Sequence, residues 1–208
     1  MKKLWIVGAG GFGRELYAWA TQHPAVGREW VLAGFLDDNA AALKSFGSFA
    51  TVSPLASHRV QSDEVFLCGV GQPHVKEKLV EPLLKQGAQF ISFVHPQALL
   101  GARVKMGQGV VICPGVVISV DVELGDFVMV NLLSTIGHDA KVGAWTTLSA
   151  HCDVTGFVQV GSRVFMGSRA SIIPQKKVGD RAVIGAGAVV IKDVPSDVTM
   201  VGNPAKIL

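Results

Sequence analysis

The 208-residue chain has only three cysteines, Cys68, Cys113 and Cys152, and no two of them are spaced as CxxC. An odd, scattered set argues against a disulfide framework and against a thiolate zinc site, and leaves them as small buried apolar residues. Aromatic residues are scarce at 7%, with a single tyrosine, and the net charge is only +3. With no nucleic-acid motif besides, a nucleic-acid partner is not expected. No apolar run reaches the ~18 residues of a membrane-spanning helix. The opening MKKLWIVGAG runs straight into a glycine-rich turn without a signal-peptide cleavage site. A soluble, cytoplasmic protein with no membrane partner is the expectation. Hydrophobic residues, by contrast, make up 49% of the chain, enough for a substantial core. Positive charge gathers late: residues 160–208 carry 7 basic and 3 acidic groups, against 9 and 8 in residues 1–99 and 3 and 5 in residues 100–159. That asymmetry suits a polyanionic small molecule.

The pattern from residue 1 to 95 alternates strand and helix. Strands are predicted at 3–7, 30–36, 64–70 and 89–94, and helices at 14–23 and 73–86. In the second helix Val75, Leu79, Leu83 and Leu84 share a face, and Pro82 is expected to kink it. Strands separated by helices imply a small parallel sheet, a Rossmann-like α/β domain.

From Leu100 the period changes to six. Sixteen positions at that spacing, Leu100 to Val190, are all aliphatic or Met, and the next residue is Gly at nine of them. The fifth position of each hexad is small or Val throughout, except at Lys176, where the coil is expected to loosen. One large and one small inward residue per hexad fits a triangular coil with three hexads to the turn, stacked as parallel strands. This pattern resembles the left-handed parallel β-helix. The fold class is therefore α/β plus all-β: a small domain over residues 1–95, then a hexapeptide-repeat β-helix with a C-terminal tail over 96–208.

Third, fourth and sixth positions face outward. In the middle coils the fourth positions read Phe127, Leu133, Asp139, Trp145, His151 and Phe157. Large apolar groups there form an exposed belt that another subunit is expected to cover, a three-fold assembly of prisms being one way to do so. Inside the belt lie His138 and Asp139, at adjacent third and fourth positions. A histidine neutral near pH 7 can take a proton from an attacking nucleophile, and a nearby carboxylate tunes it. Adjacent strand residues point opposite ways, so the Asp139 carboxylate supports His138 only if the coil turns between them or if it acts through a neighbouring chain. Only two of six histidines fall within the hexads, too few for a three-histidine zinc site there, so no metal is expected.

VGAGGFGRE places Gly8, Gly10 and Gly13 in GxGxxG spacing between strand and helix, with Asp37 ending the next strand. Read literally this is a dinucleotide fingerprint. The domain is too short for the two-halved dinucleotide fold, and its junction to a hexapeptide coil favours a nucleotide-sugar site.

The Gly loop, FLDDN at 35–39, GVGQPHVKEKL at 69–79, HPQA at 95–98, the hexads, IGHDAKVG at 136–143 and GNPAK at 202–206 together resemble a bacterial sugar acyltransferase family. It is the family of the bacillosamine-pathway N-acetyltransferases for UDP-4-amino sugars, with the sialic acid O-acetyltransferases. The resemblance implies a homotrimer that works in cell-surface polysaccharide synthesis. It implies acetyl-CoA as co-substrate between adjacent β-helices and a nucleotide sugar on the first domain. It maps the catalytic histidine to His138 and its acidic partner to Asp139. Sugar contacts map to Gly10, Gly11, Phe12, Asp37, Asp38 and Gly71, and CoA contacts to Thr147, Ser168 and Ala186. The basic tail adds Lys206 and the Lys176–Lys177 pair as candidates for CoA's phosphates. Phe12 and Thr147 stand where the bacillosamine enzymes carry histidines, which bears on the sugar's identity and on one CoA contact. The implied reaction is acetyl transfer to a sugar amine, with a sugar or sialic acid hydroxyl as the alternative acceptor and a non-catalytic sugar-binding trimer as the remote one.

Overall fold

A computed structural model describes all 208 residues. The chain divides into two units, residues 1–71 with 75–91, and residues 92–208 with 72–74.

In the first unit β1 (Lys2–Val7), β2 (Trp30–Leu36), β3 (Val52–Ser53) and β4 (Glu64–Cys68) form a parallel sheet in the order β3-β2-β1-β4. Helix α1 (Gly11–Thr21) follows β1, and α2 (Pro73–Leu84) follows β4. The strands are short apolar runs because both sides are buried: Leu4, Ile6, Phe35, Leu36, Phe66 and Leu67 have no exposed surface. In α1 the buried residues Gly13, Leu16 and Ala20 fall at i, i+3 and i+7, one helical stripe.

The buried stripe of α2 is not the expected one. Lys76, Val80 and Leu83 are buried at i, i+4 and i+7, whereas Val75, Leu79 and Leu84 are only half-buried. Counting lysine as polar hid the true face, since its long apolar stem packs like a hydrophobe. The helix also runs through Pro82 to Leu84. The strand predicted at 89–94 is two pieces: Phe90 bridges to Phe66 in the first unit, while β5 (Phe93–Val94) pairs with Val111–Ile112 in the second. The coil thus begins a few residues before His95.

The second unit is a parallel β-helix whose two-residue strands stack on three faces. Face one holds Lys105–Met106, Glu123–Leu124, Lys141–Val142, Gln159–Val160 and Lys177–Val178. Face two runs from β5 through Val111–Ile112, Met129–Val130, Thr147–Leu148, Phe165–Met166 and Val183–Ile184 to Thr199–Val201 and the antiparallel Lys206–Ile207. Face three holds Leu99–Leu100, Val117–Ile118, Thr135–Ile136, Asp153–Val154, Ser171–Ile172 and Val189–Val190. Partners in the ladders lie three hexads apart, as in Met129↔Thr147 and Ile136↔Val154.

Fourth hexad positions make the corners. Asp139 (φ 59), Trp145 (φ 65), His151 (φ 60) and Phe157 (φ 60) are left-handed, a conformation that costs a non-glycine residue about 1–2 kcal/mol. Each corner N–H donates to the coil before it, Asp139 to the Val120 carbonyl at 3.1 Å and Phe157 to that of His138 at 2.9 Å, which offsets the strain.

Three expectations change. Phe127 is not exposed: it is buried, with its ring stacked on Trp145 at 4.2 Å between centroids and 5° between planes. The next coil's corner covers it, so the apolar belt shrinks mainly to Leu133 and Phe157, at 55% and 50% exposure. The coil does not loosen at Lys176, because Gln159↔Lys177 pair in register. The period slips later, where Val183 pairs with Thr199 in place of Val201, and Val178 with Val194 in place of Ser196. Leu100 and Met106 occupy inward positions yet remain exposed, as they belong to the first coil of their faces and no coil lies beneath them.

Candidate functional site

In the β-helix, His138 and Asp139 form the turn from face three to face one. The left-handed Asp139 swings its carboxylate back, and His138 Nδ1 lies 2.8 Å from Asp139 Oδ2. This is the turn that the pair needs in order to meet. An ionised carboxylate can only accept, so the shared proton belongs to Nδ1 and the lone pair of the neutral ring lies on Nε2. Both side chains are open to solvent, at 53% and 43% exposure, so the imidazole is accessible to a reactant.

The ring is held by two residues that the sequence reading did not place in the site. Phe157, one coil on, meets it edge to face at 5.0 Å and 89°. Gly156 lies beneath it: a Cβ there would stand 2.8 Å from Nε2 and 2.9 Å from Cε1, so no larger residue leaves the ring where it is. The signal was available, since Gly156 follows His138 by three hexads, one full turn of the coil.

The residues expected to meet CoA lie elsewhere on the prism. Ser168 and Ala186 are exposed and stack on the edge between faces two and three, the same edge as His151 and Leu133. Thr147 is buried on face two at 2% exposure. Lys206 is exposed on the last strand. One chain therefore carries the His138 pair on one edge and the Ser168–Ala186 column on another. Cys152, the cysteine nearest in sequence, is buried, and burial pushes its thiol up to about 12, which makes it a poor nucleophile. No group of three or more His, Cys, Asp or Glu is arranged to hold a metal ion, and no helix is long and apolar enough to cross a membrane.

In the first unit, the glycines divide by role. Gly13 is packed against the loop, where a Cβ would stand 2.0 Å from the Gly8 carbonyl oxygen, whereas around Gly10 nothing lies within 4 Å. Gly10 and Gly11 are exposed and open, and Phe12 packs edge-on against Trp19 at 6.1 Å. Asp37 spends its carboxylate on the backbone, accepting from Ala9 N–H at 2.8 Å and Asn39 N–H at 2.9 Å. Asp38 accepts from Ala56 N–H at 2.8 Å. Both aspartates shape the rim of the loop from the carboxyl end of β2. Gly71 follows β4 at the same end of the sheet, where open parallel sheets take ligands.

Residues 3–83 match the PglD N-terminal domain family, and residues 158–192 match the hexapeptide repeat of succinyl-transferase. The PerB structure from Caulobacter crescentus, in complex with CoA and GDP-perosamine, superposes with a TM-score of 0.88 at 29% identity, over 100% of this chain and 98% of that one. The chain thus joins a PglD-type N-terminal domain to hexapeptide repeats. Its relatives include the GDP-perosamine N-acetyltransferase of Escherichia coli O157:H7, 29% identical over 69% of this chain and 66% of the relative. The UDP-N-acetylbacillosamine N-acetyltransferase of Bacillus subtilis (strain 168) is 31% identical over 54% of this chain and 51% of the relative. The chain thus aligns with just under two thirds of the first relative's length and about half of the second's.

Proposed function

We propose that this protein transfers an acetyl group from acetyl-CoA to the amino group of a nucleotide-linked amino sugar. The observation that carries the reading is the His138–Asp139 pair, with Nδ1 tied to the carboxylate at 2.8 Å and the ring open to solvent. His138 Nε2 takes the proton as the sugar nitrogen attacks the thioester carbonyl. A tetrahedral oxyanion forms, a backbone N–H stabilises it, and its collapse expels the thiol of CoA, which receives the proton back from His138. Attack is direct, with no acyl-enzyme and no metal. The nucleotide sugar sits on the open glycines Gly10 and Gly11 and near Gly71, with Asp37 and Asp38 at the rim, and CoA lies along Ser168 and Ala186. Since those two and His138 occupy different edges of one prism, the site closes between subunits of a homotrimer, with Leu133 and Phe157 among the covered groups. Two relatives named for N-acetyl transfer favour an amine over a hydroxyl acceptor. Both substrates are cytoplasmic, and the product serves cell-surface polysaccharide synthesis.

The test is thiol release from acetyl-CoA, with GDP- and UDP-linked 4-amino sugars as acceptors. A folded His138→Ala variant is expected to lose about 10²–10⁴-fold in rate. Wild-type turnover by that variant would remove His138 from the mechanism.

A further inference from the structure

We propose that Arg14, laid across the ring of Phe46, binds the diphosphate of the nucleotide sugar. This rests on the nucleotide-sugar reading of the first unit and deepens it. Arg14 lies one helical turn beyond the open glycines, and its Nη2 stands 4.0 Å from where a Cβ on Gly11 would be. Its guanidinium carbon is 3.5 Å from the centroid of Phe46, in the short 3₁₀ turn Lys44–Phe46 between β2 and β3. Stacking holds the plane of the guanidinium and leaves its edge donors unspent. Those donors find no acceptor in the protein. Arg14 Nε is buried without a hydrogen-bond partner, the one such side-chain nitrogen or oxygen in the chain. The two carboxylates that end β2 do not serve it, because Asp37 and Asp38 are committed to backbone N–H groups.

A guanidinium that spends none of its donors on the protein keeps its outer ones for an anion. A guanidinium fixed in plane matches two oxygens of one anionic group, and a diphosphate offers them. Phe46 keeps half its surface exposed although its stacking partner is a cation, as expected of a platform at the rim of a site.

Calorimetric titration of the full chain with GDP and UDP tests this. Arg14→Gln is expected to bind the nucleoside diphosphate that wild type prefers about 10- to 100-fold more weakly. Arg14→Lys and Phe46→Leu should fall in between, and the free nucleoside should bind all variants alike. Melting curves show which variants fold, and the milder pair carries the test if Arg14→Gln does not. Diphosphate affinity within about twofold of wild type in the folded variants overturns the assignment and leaves the nucleotide-sugar reading standing. A nucleoside that weakens as much as its diphosphate shows that Arg14 reads the base, which also overturns it. Free sialic acid presents a carboxylate with the same pair of oxygens. If it alone binds in an Arg14-dependent way, the diphosphate assignment is wrong and a hydroxyl acceptor gains support. If no nucleotide binds wild type, both readings fall together.

Discussion

In the β-helix the backbone contacts of the interior coils recur three hexads later, so each of those coils is supported by a similar neighbour above and below. The first unit has no such redundancy: its glycine loop is held by single contacts, Gly8 N–H to the Leu36 carbonyl at 2.9 Å and Ala9 N–H to Asp37 at 2.8 Å. The difference teaches where each unit can carry function. A periodic coil offers many equivalent edges, and the proposed base lies where one coil departs from the pattern, at His138 and Gly156. In the first unit the singly supported loop is itself the proposed sugar site, and its glycines divide between those that hold it and those that leave room.

That division is the sharpest point at which the comparison can be broken. Gly13→Ala drives a methyl group into the Gly8 carbonyl oxygen, a backbone atom that cannot step aside. The expected loss of stability is on the order of 4 kcal/mol. Gly10→Ala meets nothing within 4 Å at an ordinary φ of −71°, so it loses only the preference for glycine at the N-cap of α1, about 1 kcal/mol or less. Urea unfolding of both variants checks the pair, and equal losses would mean that the loop is held by something other than the Gly13–Gly8 approach.

Lys76 sharpens the same contrast, because the first unit buries a charge where the β-helix buries apolar or hydroxyl side chains. Burial lowers its ammonium from 10.5 to about 8. Between those values the unfolded chain holds the proton and the folded chain does not, so stability from this group rises with pH through the window. Below about pH 8 the whole cost of burying the charge is present, about 3 kcal/mol. Two buried thiols act in the opposite sense above pH 9.0: burial pushes Cys68 up to about 11 and Cys152 to about 12. The measurement is therefore a difference, the urea stability of Lys76→Met minus that of wild type at pH 7 and at pH 10.5. The difference should shrink by about 3 kcal/mol at the higher pH. A pH-independent difference would mean that Lys76 is not desolvated.

Much of the fold was legible, and unequally. The β-helix could be read because one large residue every six positions leaves no other architecture, and the step of three hexads then paired Phe127 with Trp145 correctly. Depth around a corner could not be read from position alone, since the ring that caps Phe127 comes from the coil above. In the first unit β1, β2 and β4 were clear, but the two-residue β3 carries too little pattern to be seen, the 89–94 run divides between the units, and the buried face of α2 was missed because it begins with a lysine. Of the candidate site, the turn that lets Asp139 reach His138 depended on the sign of a φ angle. Arg14 was passed over inside GFGRE because only the absence of partners in three dimensions makes it unusual.

The smallest expected effect tests the redundancy of the coil. Thr146 is a hydroxyl at an inward fifth position, completely buried, and its Oγ1 donates to the Gly161 carbonyl at 2.8 Å and accepts from Val164 N–H at 3.1 Å. Ser134 does the same for the Ser149 carbonyl and Cys152 N–H. Other coils bury no hydroxyl there. In several of them the fifth-position N–H turns to the carbonyl three residues back, as in Ala170 to Gly167 and Ala188 to Gly185, both at 3.1 Å. Thr146→Val frees Val164 N–H and the Gly161 carbonyl together, and these stand three residues apart, so the coil can adopt the same arrangement. The expected cost is therefore about 1 kcal/mol, near the net worth of one hydrogen bond, instead of the roughly 3 kcal/mol of two stranded polar groups. Urea unfolding distinguishes the two values, and the larger would show that each coil is locked to its own polar contacts, with no common fallback along the stack.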